Sequence, residues 1–153
     1  MKGLRIRPLA RRDLADVIRI DAIHTGAEQR PYWTRLFGEF LGPSPERTRV
    51  ALAAEVDGAL AAFLFADERA FEFGSEPCGW ILEVGVEPAH ARHGLASALL
   101  NEAVRRLRAA GVTTVRTMVR RNNIPVLTFF RTNGFAGGPY VQLELMDGGE
   151  SDA

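Results

Sequence analysis

The residues best able to do chemistry lie in Val84-Gly85-Val86-Glu87-Pro88-Ala89-His90-Ala91-Arg92-His93-Gly94-Leu95-Ala96-Ser97. An apolar run ends there, a short polar loop turns, and a periodic apolar segment starts at small residues. The first turn of a helix has backbone N–H groups without intrahelical partners and the positive end of the helix dipole. Gly94 and Ala96 leave room for a phosphate to approach that backbone. Downstream, between Ala103 and Leu143, stand Arg105, Arg106, Arg108, Arg116, Arg120, Arg121 and Arg131, with no Asp or Glu. In a chain of net charge zero that block carries +7 and the remainder −7. Such a run suits a ligand bearing phosphates, and it equally suits a solvated face. A Gly-x-Ala at a helix start, taken alone, marks only a tight turn.

These groups need a strand that ends and a helix that begins, and the surrounding pattern supplies both. Trp80 to Val86 is apolar enough for a central strand. Gly94 opens a helix with Leu95, Leu99, Ala103 and Leu107 on one face, stopped by Gly111 at the position a C′ glycine takes. Upstream, Leu4–Arg7 alternates as a first strand, and Asp13 caps a helix carrying Leu14, Val17, Ile18 and Ile20. Gly26 to Pro31 breaks that helix, Tyr32 to Leu41 forms a second, and Gly42 to Pro45 is a loop. Val50–Val56 and Ala59–Phe65 make a hairpin around Asp57-Gly58. After the Arg-rich helix come a β-branched strand over Val112–Val119 and a short helix capped by Asn123, with Pro125 in its first turn and Gly134 past its end. Tyr140–Leu145 alternates as a last strand. The order β-α-α-β-β-β-α-β-α-β predicts one α/β domain over residues 1–147, with 148–153 a flexible acidic tail.

Two motifs in this order carry a resemblance. Val86-x-Pro88, five residues, Gly94-x-Ala96 and an apolar helix resembles the acyl-CoA pyrophosphate motif of the GNAT N-acetyltransferase superfamily. Asn123, six residues, the aromatic Phe130, three residues, then Gly134-Phe135 resembles that family's Asn…Tyr…Gly-Phe segment. Together they span about residues 80–136. The resemblance implies a mixed, mostly antiparallel sheet flanked by helices and splayed between its fourth and fifth strands. It implies that backbone groups of Val84 and Val86 pair with the pantetheine arm of acetyl-CoA, and that Arg92, His93, Gly94, Leu95, Ala96 and Ser97 cradle the pyrophosphate. Asn123 and Phe130 would lie against the cofactor, and an N–H near Val86 would polarise the thioester carbonyl.

The sequence departs from the family pattern at three positions. Ala91 stands where Gln or Arg is usual, with Arg92 beside it, and Ala96 replaces a glycine. Phe130 occupies the place of the usual general-acid tyrosine, with Phe129 next to it. A thiolate with a cysteine-like pKa leaves unprotonated at pH 7 for about 2 kcal/mol. General acid catalysis is typically worth about 10² to 10⁴-fold, so positioning and oxyanion stabilisation still support turnover. Tyr140 is the replacement acid to test, against the plainer reading of a buried, satisfied tyrosine. Glu83 is the first candidate for the base that deprotonates the acceptor amine. Its plainer reading is a carboxylate paired with an arginine. Simple strand alternation puts Trp80, Leu82 and Val84 on one side and Glu83 on the other, unless a bulge intervenes.

Other residues are read more plainly. His90 and His93 lack a third ligand close in sequence, so no metal is expected, and Cys78 is a sheltered thiol. Tyr32, Trp33 and His24 fall in a segment that in the family resembles a lid over the acceptor, although Trp33 and Phe37, four apart, also suit simple helix packing. At 153 residues, 46% apolar and 25% charged, the chain fits one soluble domain, expected in the cytoplasm. No run is long enough for a membrane span, the start lacks a secretory h-region, and one cysteine allows no internal disulfide. The expected activity is acetyl transfer from acetyl-CoA to a primary amine, small-molecule or peptide, attacking directly in a ternary complex. The alternative is a catalytically weak acyl-CoA sensor, since Phe130 has no proton to give. A nucleic-acid partner would use the arginine block but meets an acidic remainder, and neither nucleic acid nor membrane is expected as a partner. Many members of the family pair through their C-terminal strands, so the resemblance makes a homodimer possible and leaves the oligomeric state open.

Overall fold

A computed structural model describes residues 3–44, 46–70 and 76–148. The chain divides into two compact units, Met1–Met118 and Val119–Ala153. The first holds a five-stranded sheet in the order β1 (Leu4–Pro8), β2 (Arg49–Val56), β3 (Ala59–Arg69), β4 (Cys78–Val86) and β5 (Val115–Arg116). Neighbours are antiparallel except β4 and β5, which run parallel. The helices are α1 (Leu14–Thr25), α2 (Arg30–Leu41) and α3 (Leu95–Ala109), with α4 (Ile124–Thr132) in the second unit.

Alternation along β3 sorts the core into two faces. Phe63 and Phe65 join Ala51 and Ala53 of β2 under Val17, Ile18 and Ile20 of α1 and Trp33, Leu36, Phe37 and Phe40 of α2. Trp33 meets Phe63 edge-on at 5.3 Å between ring centres, and Phe40 meets Phe65 likewise at 5.2 Å. The opposite face belongs to α3, which packs on β2, β3 and β4 and buries Leu95, Leu99, Leu100, Ala103 and Leu107. Backbone must come close on both faces. A methyl at Gly79 would meet the Leu107 side chain at 2.7 Å, and one at Gly85 would meet the Phe63 ring at 2.5 Å. Gly85→Ala is therefore expected to destabilise the fold by about 1–3 kcal/mol through overpacking. Urea unfolding would measure it, and an unchanged midpoint would mean the ring has room to move.

The Asp57-Gly58 turn forms as its residues demand, with φ of 51° and 84°, both in the left-handed region that primed hairpin turns need. The end of α3 closes as a Schellman motif: Val112 N–H bonds Leu107 O at 3.0 Å, and Gly111 takes φ 93°. Asp13 lies at the start of α1 but does not cap it. Its carboxylate turns back to accept from Ala10 N–H at 2.8 Å and from both terminal nitrogens of Arg7, because a buried guanidinium needs a partner more than an exposed helix end does. Pro31, expected in the break, sits in the first turn of α2, where a missing N–H costs nothing; the break is residues 26–29.

Three further expectations change. The strand expected over Val112–Val119 is paired only at Val115–Arg116, because β5 leaves β4 after matching Gly79 and Trp80. Tyr140–Leu145 forms no strand: its alternation is present, yet among the described residues no strand hydrogen-bonds it. Trp80, Leu82 and Val84 do not share a face. Phe65 pairs with Glu83 and Ala66 with Ile81, so Leu82 is an extra residue in β4. Beyond this bulge the alternation is reset. Trp80 opposite Asp67, Leu82 against the Phe63/Phe65 cluster, and Glu83 opposite Phe65 all lie on the α1/α2 face, and Val84 opposite Leu64 lies on the α3 face. Of the expected tail, only Gly148 is among the described residues.

Candidate active site

The parting of β4 and β5 builds the first part of the site. Gly79 N–H bonds Thr114 O at 2.8 Å and Thr117 Oγ1 donates to Ile81 O at 3.1 Å; past that point β5 no longer lines β4. On the other side β4 stays paired with β3 as far as Glu87 N–H, which bonds Ala61 O at 2.8 Å. Antiparallel bonding alternates along a strand. Because residue 87 points its N–H at β3, Gly85 and Glu83 do so as well; the N–H and C=O groups of Val84 and the N–H of Val86 point to the open edge, and the Val86 carbonyl there is engaged by His24. An extended chain bearing amides can add itself there as a strand would.

The second part is the turn into α3. Pro88–His90 forms a single 3₁₀ turn, Arg92 takes φ 65° and Gly94 takes φ 76°. The first α-helical bond is Ala98 N–H to Gly94 O at 3.0 Å, so the N–H groups of Leu95 and Ala96 have no carbonyl within the helix. A methyl built on Gly94 would meet nothing within 4 Å, which leaves open space directly against that turn. Arg92, His93 and Gly94 are exposed, Ala96 and Ser97 are half-buried, and Leu95 anchors the turn in the core. Unpaired N–H groups, open space and an exposed arginine together fit the diphosphate of a coenzyme. The arginine block is less uniformly available than its composition implies: Arg105 and Arg106 both bond Glu102, at 2.6 and 3.0 Å.

The third part lies on the α1/α2 face of β4, next to the open edge. Tyr32 Oη donates to Glu83 Oε1 at 2.6 Å, so the carboxylate partners a phenol and not the arginine expected on the plainer reading. Burial pushes the Glu83 carboxyl above its ordinary range; the Tyr32 hydrogen bond opposes that and the Asp21 charge adds to it. Asp21 in turn accepts from Trp33 Nε1 at 2.9 Å. His24 Nε2 lies 2.8 Å from Val86 O, and since a carbonyl only accepts, that nitrogen carries the hydrogen. One turn earlier on α1, Arg19 grips both Glu87 oxygens at 2.8 Å. Two contacts thus hold α1 against the end of β4.

The sequence pattern located Glu83, Val84, Val86 and the Arg92–Ser97 turn, and the fold brings them to one end of β4. It did not reveal Asp21 or the bond from Tyr32 to Glu83. Trp33 and Phe37 are core residues, 1% and 2% exposed, as simple helix packing requires. In the second unit Asn123 Oδ1 accepts from Val126 N–H at 3.3 Å and caps α4. Phe130 is ringed by Phe129 and Phe135, at 5.0 and 5.1 Å, so the place of the usual acid is hydrocarbon. Tyr140, expected to be buried on its plainer reading, is half exposed. His90 ends the 3₁₀ turn, and Cys78 is buried with Arg116 Nη1 3.5 Å from its sulfur. No helix among the described residues is long and apolar enough to cross a membrane.

Comparison with known proteins gives this geometry a lineage. The chain is 35% identical over 88 residues to a mycothiol acetyltransferase of Nocardiopsis dassonvillei, a match covering 56% of the chain and 27% of that longer protein. Among solved structures, the aminoglycoside 6′-N-acetyltransferase AAC(6′)-Ih of Acinetobacter baumannii superposes with a TM-score of 0.79 at 18% identity, over 96% of this chain and all of the other. AAC(6′)-Iy, solved with the bisubstrate analogue CoA-S-monomethyl-acetylneamine, gives 0.79 at 17% identity over 94% and 98%. The sequence pattern of the acetyltransferase (GNAT) family matches residues 14–135, which take in every strand from β2 to β5, the turn at Gly94 and Phe135, and the chain belongs to that family.

Proposed function

We propose that the protein transfers the acetyl group of acetyl-CoA to a primary amine on a small molecule. The observation that carries this reading is the open edge of β4, where Val84 and Val86 present backbone amides beside the unobstructed turn at Gly94. Val84 and Val86 would hold the pantetheine arm, and Arg92, His93, Gly94, Leu95, Ala96 and Ser97 the diphosphate. The amine nitrogen attacks the thioester carbon directly, with the N–H near Val86 receiving the developing oxyanion. A C–N bond forms, the C–S bond breaks, and Glu83 takes the proton lost by nitrogen. The thiolate leaves and is protonated by water. Support for a small-molecule acceptor comes from similar proteins, a mycothiol acetyltransferase and aminoglycoside 6′-N-acetyltransferases.

The purified protein with acetyl-CoA and a panel of aminoglycosides, polyamines and N-terminal peptides is expected to release free thiol above background with a small amine. A hydrocarbon cluster at Phe130 favours a second reading, an acyl-CoA sensor. That reading predicts tight acetyl-CoA binding with no thiol release on any amine. The proposal also includes a homodimer formed through residues 140–146, where Val141, Leu143 and Leu145 are 80%, 90% and 102% exposed. Sedimentation is expected to give twice the chain mass, falling to one chain in the Leu143→Lys, Leu145→Lys variant. A wild-type monomer would exclude the pairing.

A further inference from the structure

We propose that Tyr32 is a positioning residue for acyl transfer: its hydroxyl fixes one oxygen of Glu83 and leaves the other to meet the acceptor amine. The inference rests on the acetyl-transfer reading above. Tyr32 comes from α2 and Glu83 from β4, so this contact ties together two elements 51 residues apart. The Tyr32 ring is itself held, edge-on to Trp33 at 5.0 Å, with the Arg35 guanidinium 5.8 Å from its centre. Trp33 is anchored in turn by Asp21 and by Phe63. The phenol therefore approaches Oε1 from a rigid mount, at 2.6 Å. Among the described residues no group hydrogen-bonds Oε2.

The charges around Glu83 make this single bond decisive. From α1 the carboxylate faces Asp21, with His24 engaged at Val86 O; from α2 it faces Tyr32, with Arg35 acting on the phenol; across β3 it faces the uncharged Phe65. Burial and Asp21 both disfavour the carboxylate, and the Tyr32 hydroxyl is the one neighbour that favours it. The phenol's own ionisation is pushed above the ordinary tyrosine range by burial and by Glu83, so it remains a donor at every pH at which the base works. A base poised above the usual carboxylate range is well matched to accepting an amine proton.

The test compares wild type with Tyr32→Phe, which keeps the ring against Trp33, and with the Glu83→Gln and double variants. Hydrogen bonds to charged groups are worth enough to move a pKa by about one unit. The Glu83 carboxyl, followed by ¹³C NMR in the free protein, is expected to titrate about one pH unit higher in Tyr32→Phe. The acid limb of kcat/KM should move by the same amount, and kcat should fall about tenfold with KM nearly unchanged. In the Glu83→Gln background Tyr32→Phe should add nothing. An unmoved carboxyl titration, an unmoved acid limb, or a second tenfold loss in the Glu83→Gln background would each overturn the positioning role. A wild-type protein that acetylates no amine fails at an earlier step: that result removes the acetyl-transfer reading itself, and the role of Tyr32 with it.

Discussion

Glu83→Gln is expected to lower kcat/KM for amine acetylation by about 10² to 10⁴-fold and to remove the acid limb of its pH profile. Glutamine keeps the shape and can still accept from Tyr32, so the change isolates the loss of a proton acceptor. The direction of the pH effect follows from the site. The carboxyl must be ionised to act as a base, and burial raises its pKa above the ordinary value. Activity should therefore fall as pH drops through a range somewhat above that of exposed carboxylates, and be full above it. The size of the loss should depend on the acceptor. An amine with a lysine-like pKa needs about 4.6 kcal/mol to lose its proton at pH 7, and an α-amine about 1 kcal/mol. Losses near the upper figure with polyamines and near the lower one with peptides would identify deprotonation as the assisted step. Equal, small losses with both would mean that Glu83 is not the base.

Gly94→Asp should weaken acetyl-CoA binding by roughly 10- to 10³-fold, whereas Gly94→Asn should cost at most about threefold. Both side chains tolerate the left-handed backbone at this position, and they are nearly isosteric, so backbone strain cancels in the comparison. What remains is one negative charge set against a diphosphate across about 4 Å, worth about 1–4 kcal/mol between water-like and surface-like screening. Titration calorimetry at two salt concentrations would show it, since the Asp penalty should shrink as ionic strength rises. Indistinguishable affinities for the two variants would mean that the coenzyme's phosphates lie elsewhere.

Tyr32 belongs to the Glu83 half of the site. If it holds Glu83 as inferred, its removal should mimic a mild acidification and leave coenzyme affinity untouched. Glu83, Tyr32 and Gly94 variants would then separate cleanly into base, base orientation and coenzyme binding, each with its own readout.

Much of this was legible in the sequence because it depends on neighbours within a turn or two. Gly94 and Gly111 sit at positive φ at the two ends of α3, the Asp57-Gly58 hairpin closes in the left-handed region, and Leu95, Leu99, Ala103 and Leu107 line one buried face. Steric limits on φ and the 3.6-residue period act locally, so residue type fixes them. Tertiary structure alone decided the rest. The extra residue at Leu82 moves Trp80 and Leu82 onto the face that Glu83 occupies, a consequence of how β4 registers against β3. Tyr32 reaches Glu83 across 51 residues, β5 pairs for only two residues, and the alternating stretch at 140–145 forms no strand. Alternation specifies which side chains could share a face; whether a strand forms, and which face its carboxylate takes, depends on the backbone that packs beside it.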